Sequence, residues 1–100
     1  MAVTAKTLFR GAATTNTATT LYTATGVTAL VTNIGVTNTS ASARTFTLTL
    51  DGADLFTTTA ILPNTTVFID LKQVLAATKT IKGGASTTDV NFHISGVELA

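Results

Sequence analysis

One hundred residues suffice for one domain with a single core and fall well short of the size at which cores divide. Hydrophobic residues make up 45% of the chain and charged residues only 11%, against roughly a quarter in ordinary soluble domains, which excludes a charge-rich disordered chain. The net charge of +1 is spread over Lys6, Arg10, Arg44, Lys72, Lys79 and Lys82 without a basic run, so the cation cluster that a nucleic-acid binder needs is missing.

The start, "VTAKTLFRG", reads as a short strand with Val3, Ala5 and Leu8 or Phe9 apolar, followed by "AATTNTATT" as an extended polar loop. A second strand is expected around residues 21–24, closed by a turn at Thr25-Gly26. In "VTALVTNIGVTNTS", strict alternation puts Leu30, Thr32, Ile34 and Val36 on one face and Val31, Asn33, Gly35 and Thr37 on the other, with Gly35 marking a bulge or a close approach of another backbone. "RTFTLTLDG" alternates Thr45, Thr47 and Thr49 against Phe46, Leu48 and Leu50, the period of a half-buried strand, and Asp51-Gly52 signals a hairpin into "ADLFTTTAIL". After Pro63-Asn64, "TTVFIDLKQVL" turns Val67, Ile69 and Leu71 inward and Phe68, Asp70 and Lys72 outward, and "KQVLAA" has room for one helical turn. "TKTIKGG" is a further strand, and "VNFHISGVELA" closes the chain with Val90, Phe92 and Ile94 on one face.

Seven or eight short strands between turn signals predict an all-β fold, a single antiparallel β-sandwich with jelly-roll or immunoglobulin-like connectivity. Residues 1–20 read as an N-terminal strand or arm and 21–100 as the sandwich, together one domain. Threonine holds a quarter of all positions, so the surface is rich in hydroxyls and nearly neutral. Such a surface favours association over staying apart.

The candidates for chemistry are sparse. His93 is the single histidine and shares a strand face with Ser95, and Asp70 or Asp89 would complete a nucleophile, base and orienter, but no strained elbow or glycine-rich oxyanion segment surrounds Ser95. Asp51 and Asp54 supply only two carboxylates, fewer than a calcium loop requires. Gly83-Gly84 lack the Lys-Ser/Thr and helix of a phosphate cradle. Without cysteine there is no disulfide or thiolate site. The matches to the glycosylation pattern at Asn38 and Asn64 carry little weight in a Thr-rich chain, and no signal peptide or membrane span is expected. Phe68 puts a large ring on the nominally wet side, either under a loop or in a subunit contact.

The order "TLYTATGVTALVTNIGVTNTSASARTFTLTLDG", then "ILPNTTVFIDLKQVLAATKTIKG", then "VNFHISGVEL" resembles small β-sandwich virion structural proteins of tailed bacteriophages, over residues 21–99. The resemblance implies a non-enzymatic part of the particle, made in the host cytoplasm, without cofactor, metal, nucleic acid or membrane. Its implied partners are the major capsid protein and copies of itself if it decorates the capsid exterior; the low charge and the outward Phe68 separately predict self-assembly to a trimer or larger. As a minor tail or fibre component it would instead offer "NTSASA" or "GGASTTD" to host glycans. Lys6, Phe9 and Arg10 in the N-terminal segment, with Phe68, are the expected subunit or capsid contacts.

Overall fold

The computed structural model of the chain describes residues 2–100. They form eight strands: β1 (Val3–Ala12), β2 (Thr20–Thr23), β3 (Thr28–Asn38), β4 (Arg44–Leu50), β5 (Ala53–Ile61), β6 (Thr65–Leu75), β7 (Thr80–Ala85) and β8 (Val90–Leu99). Two four-stranded sheets result, ordered β1-β8-β3-β6 and β2-β7-β4-β5, with every pairing antiparallel. Within them β1 meets β8, β2 meets β7, β3 meets β6 and β4 meets β5. The chain is therefore one long antiparallel ribbon, doubled back between β4 and β5 and rolled until β3 meets β8 and β4 meets β7. That is jelly-roll connectivity, which resolves the choice left open by strand spacing.

The ribbon turns at Asp51 (φ 53°) and Gly52 (φ 75°). Positive φ at both central residues is the hairpin turn whose twist matches the flanking strands. Where "KQVLAA" had room for a helical turn, β6 instead runs unbroken to Leu75, and the Lys79 N–H donates to the Ala76 carbonyl (3.1 Å) to close a tight turn. Burial of Leu75 holds those residues extended, because a single helical turn has too few hydrogen bonds to compete.

Between the sheets, Val31, Ile34, Val36, Val90, Phe92 and Ile94 meet Phe46, Leu48 and Ile81 in one core. Phe46 and Phe92 pack edge-to-face across the sandwich with centroids 6.3 Å apart, and Phe46 also meets Phe56 at 5.4 Å. The alternations in β4 and β8 are those expected. In β3 the expectation fails: Val31 is buried together with Ile34 and Val36, while Leu30 is only half-buried. The register slips at Thr32, between the pairings of Val31 and Asn33 to both neighbouring strands, so the strand changes phase there and not at Gly35. In β1 a similar slip between Thr7 and Phe9 sends Leu8 into the core and leaves Val3 and Ala5 exposed.

β5 carries a third irregularity. Phe46 pairs with Thr59 but Leu48 pairs with Phe56, and Thr58 sits at φ 45° with its N–H on the Thr47 hydroxyl (3.0 Å). A β-branched residue in the left-handed region is strained. Thr58→Gly is expected to raise stability by about 1 kcal/mol, read from chemical denaturation.

The N-terminal segment is not a free arm. β1 pairs with β8 from Val3↔Leu99 to Ala12↔Asn91, and the loop at residues 13–19 is bonded down through Ala13 N–H to the Val90 carbonyl (2.7 Å) and Ala85 N–H to the Thr14 carbonyl (2.9 Å). Gly84 makes that docking possible, since a Cβ there would come within 2.7 Å of the Thr14 and Asn16 carbonyls.

Candidate functional site

At one end of the sandwich the loops at 39–43, 62–64 and 86–89 are bound to one another. Asn38 is fully buried and is their hub: its amide donates to the carbonyls of Ser42 (2.8 Å), Ile61 (3.1 Å) and Leu62 (3.2 Å), and its oxygen accepts the Ser40 N–H (2.9 Å). A glycan on Asn38 is incompatible with that arrangement. Arg44 donates two hydrogen bonds to Asp89 (3.1 and 3.2 Å), Thr87 bonds the same carboxylate, and Thr39 donates to the Asp89 carbonyl (2.7 Å). The "NTSASA" and "GGASTTD" loops thus meet, but the side chains of Asn38 and Ser40 are spent on loop backbone and those of Arg44, Thr87 and Asp89 on each other.

The Arg44 guanidinium, then the Thr87 hydroxyl, hold the Asp89 carboxyl below the usual carboxylate range. At the opposite end Tyr22 donates to Glu98 (2.5 Å), and Lys6 pairs with the other Glu98 oxygen (3.3 Å). The tyrosine bond, opposed by partial desolvation and aided by Lys6, lowers the Glu98 pKa, while burial and the adjacent carboxylate push the Tyr22 phenol well up. Both carboxylates stabilise the fold in their ionised form. That contribution is complete above about pH 5, clear of the ordinary carboxylate values, and fades as pH falls through the lowered folded-state values. Replacing Asp89 with Asn is expected to reduce stability at neutral pH and to flatten the acid limb of a stability-versus-pH curve.

The two outer faces differ. On the β2-β7-β4-β5 sheet, Thr45, Thr47 and Thr49 are half-buried, and the 13–19 loop covers the neighbourhood of Gly84, which pairs with Thr47. The β1-β8-β3-β6 face carries rows that run straight across the sheet: Arg10, His93, Gly35 and Phe68 in one, and Thr7, Ser95, Asn33 and Asp70 in the next. Phe68 is 71% exposed, so no loop covers it, and its ring lies over Gly35, where an added Cβ would come within 2.9 Å of it. The ring substitutes for the missing side chain of its cross-strand partner. Phe68→Ala is expected to cost only about 0.5–1 kcal/mol in an unfolding experiment, as for one cross-strand pair.

Of the predicted contacts, Arg10 and Phe68 share one row on this face, Lys6 is tied to Glu98 beside it, and Phe9 turns toward the core. His93 and Ser95 do share the face, in adjacent rows, while Asp89 is held by Arg44 and Asp70 accepts the Asn33 amide (3.1 Å). A shallow groove of about 460 Å³ follows the bulges of β1 and β3, lined by Lys6, Thr7, Thr32 and Ser95 among others. Asp51 is turned toward Lys79 (3.7 Å). Among the described residues, no three His, Asp or Glu side chains gather as a metal site. What the arrangement offers chemically is a hydroxyl- and amide-bearing face with one exposed aromatic, Phe68, and the charges of Arg10, Asp70 and Lys72. Neither the models of known protein families nor the sequences of curated proteins match this chain.

Proposed function

We propose that this chain is a non-enzymatic bacteriophage virion protein, a decoration protein that binds the outside of the major capsid shell and stabilises it. The observation that carries the reading is the outer face of β1-β8-β3-β6: mostly hydroxyl, amide and apolar side chains, with Phe68 and Arg10 in one cross-strand row. Aromatic and arginine side chains are the residues enriched where proteins meet. Little charge has to be desolvated when such a face closes against a shell. The rigid sandwich, with its loops bonded to each other at one end, suits a part that must transmit load without deforming. The tail or fibre reading draws on the same end loops for glycan contact, and their internal hydrogen bonding leaves fewer polar groups for a sugar.

The test is binding of the purified protein to phage heads that lack it, followed by thermal disruption of the particles. Saturable binding and a raised disruption temperature are expected, and Arg10→Glu is expected to weaken binding at least about tenfold, the scale of one lost interface charge contact, without altering the unfolding midpoint of the free protein. Heads that neither bind the protein nor gain stability contradict the reading.

A further inference from the structure

Each sheet of the jelly roll ends in strands with one unpaired side. An open edge is a template for another strand unless it is short, bent or shielded. β2 is four residues long, β1 carries the bulge at Leu8, and β5 is bent at Thr58. β6 is different. It runs eleven residues, none at positive φ; its pairing to β3 shifts register between Asp70 and Gln73, yet Ile69 opposite Ile34 and Leu75 opposite Ala29 keep one parity inward through the shift, and the outer side carries an exposed apolar residue toward each end, Phe68 (71%) and Val74 (70%).

The outward side chains of β6 read Phe68, Asp70, Lys72, Val74. Reversed, that order is Val, Lys, Asp, Phe: each apolar end returns to an apolar end, and each charge returns to the opposite charge. We infer that β6 is a self-complementary edge that pairs with β6 of a second copy of this chain, antiparallel about a two-fold axis at Leu71. In that register Phe68 lies opposite Val74 of the second copy, Asp70 opposite Lys72, Lys72 opposite Asp70 and Val74 opposite Phe68. On the core-facing side Val67, itself 41% exposed, lies opposite Leu75.

Sliding the strands by two residues destroys all of these matches together, so the pattern specifies one register and one symmetry. Directly opposed unlike charges and aromatic–β-branched pairs both favour an antiparallel pairing, and opposed like charges disfavour it. A two-fold contact of this kind closes on itself, because the same strand supplies both halves. The product is a dimer with one continuous eight-stranded sheet, β1-β8-β3-β6 joined to β6-β3-β8-β1. Its outer face is doubled in area, with each Phe68 beside Val74 of the second copy on that face. The inference depends on the edge alone and holds wherever the protein resides. It replaces the trimer expected from the sequence with a two-fold pair.

Sedimentation velocity on the full-length chain at sub-millimolar concentration tests it, with circular dichroism confirming that each variant is folded. The wild type is expected to sediment as a dimer. Asp70→Lys puts ammonium groups opposite one another at both charge contacts and is expected to raise the dimer dissociation constant at least about tenfold. The double variant Asp70→Lys with Lys72→Asp restores opposite charges in the two-fold register alone and is expected to recover the wild-type constant. Should Asp70→Lys fail to fold, Val74→Arg, at a 70% exposed position, is expected to give the same dissociation. A wild type that is monomeric or trimeric, or a dimer indifferent to these changes, overturns the inference.

Discussion

Asn38→Leu is expected to lower the stability of the protein by about 3 kcal/mol and its melting temperature by about 15 °C. Leucine has the same branched skeleton and is somewhat larger, so no cavity accounts for the loss. The cost comes from polar groups left behind: the carbonyls of Ser42, Ile61 and Leu62 lose their donor and the Ser40 N–H loses its acceptor. A buried group stripped of its partner costs its desolvation, roughly 1–3 kcal/mol each before relaxation and water entry reduce the sum. The same change releases the loops at 39–43 and 62–64, so amide hydrogen exchange should rise at Ser40 and Asn64, whose N–H donates to the Ser40 carbonyl (3.1 Å). Calorimetry and exchange on this single variant separate a hub from an ordinary polar side chain, which would leave both nearly unchanged.

Phe92→Ala is expected to cost about 4 kcal/mol, the usual range for removing a buried phenylalanine. Phe92 is fully buried near the start of β8, between β1 and β3, where it pairs with Gly11 and Val36, and it reaches across the sandwich to Phe46. The strands on either side are held in register by their ladders, so the cavity cannot collapse. Denaturant titration should show a lower midpoint with an unchanged slope, because the surface exposed on unfolding changes little.

The legibility of this fold in its sequence follows the range of the interactions involved. Asp51-Gly52 declares its hairpin because the turn needs positive φ at adjacent residues, a local demand. β4 and β8 declare their faces because strict alternation survives along them. β3 does not, since the slip at Thr32 is set by its pairing to β6 and β8 at once, and neither neighbour is close in sequence. The jelly-roll order was out of reach for the same reason: β1 with β8 and β2 with β7 join opposite ends of the chain. Among the candidate contact residues, the outward exposure of Phe68 was legible by parity alone. Phe9 was not, because the bulge at Leu8 re-aims it toward the core. Asn38 stood in the sequence as part of a glycosylation pattern, and only the fold shows it as the anchor of three loops.

The threonines of "RTFTLTLDG" also change meaning in the fold. Thr47 accepts the strained Thr58 N–H and Thr49 donates to the Lys82 carbonyl (3.5 Å), so this face is partly used in holding its own sheet. The free face belongs to the other sheet. On it rests the proposal that the protein clads a capsid.

The most direct test of that proposal is the number of copies of this protein relative to the major capsid subunit in purified virions, measured by quantitative mass spectrometry. The account predicts stoichiometric occupancy, hundreds of copies in a fixed ratio to the shell subunit. A handful of copies per particle, or none, would contradict it.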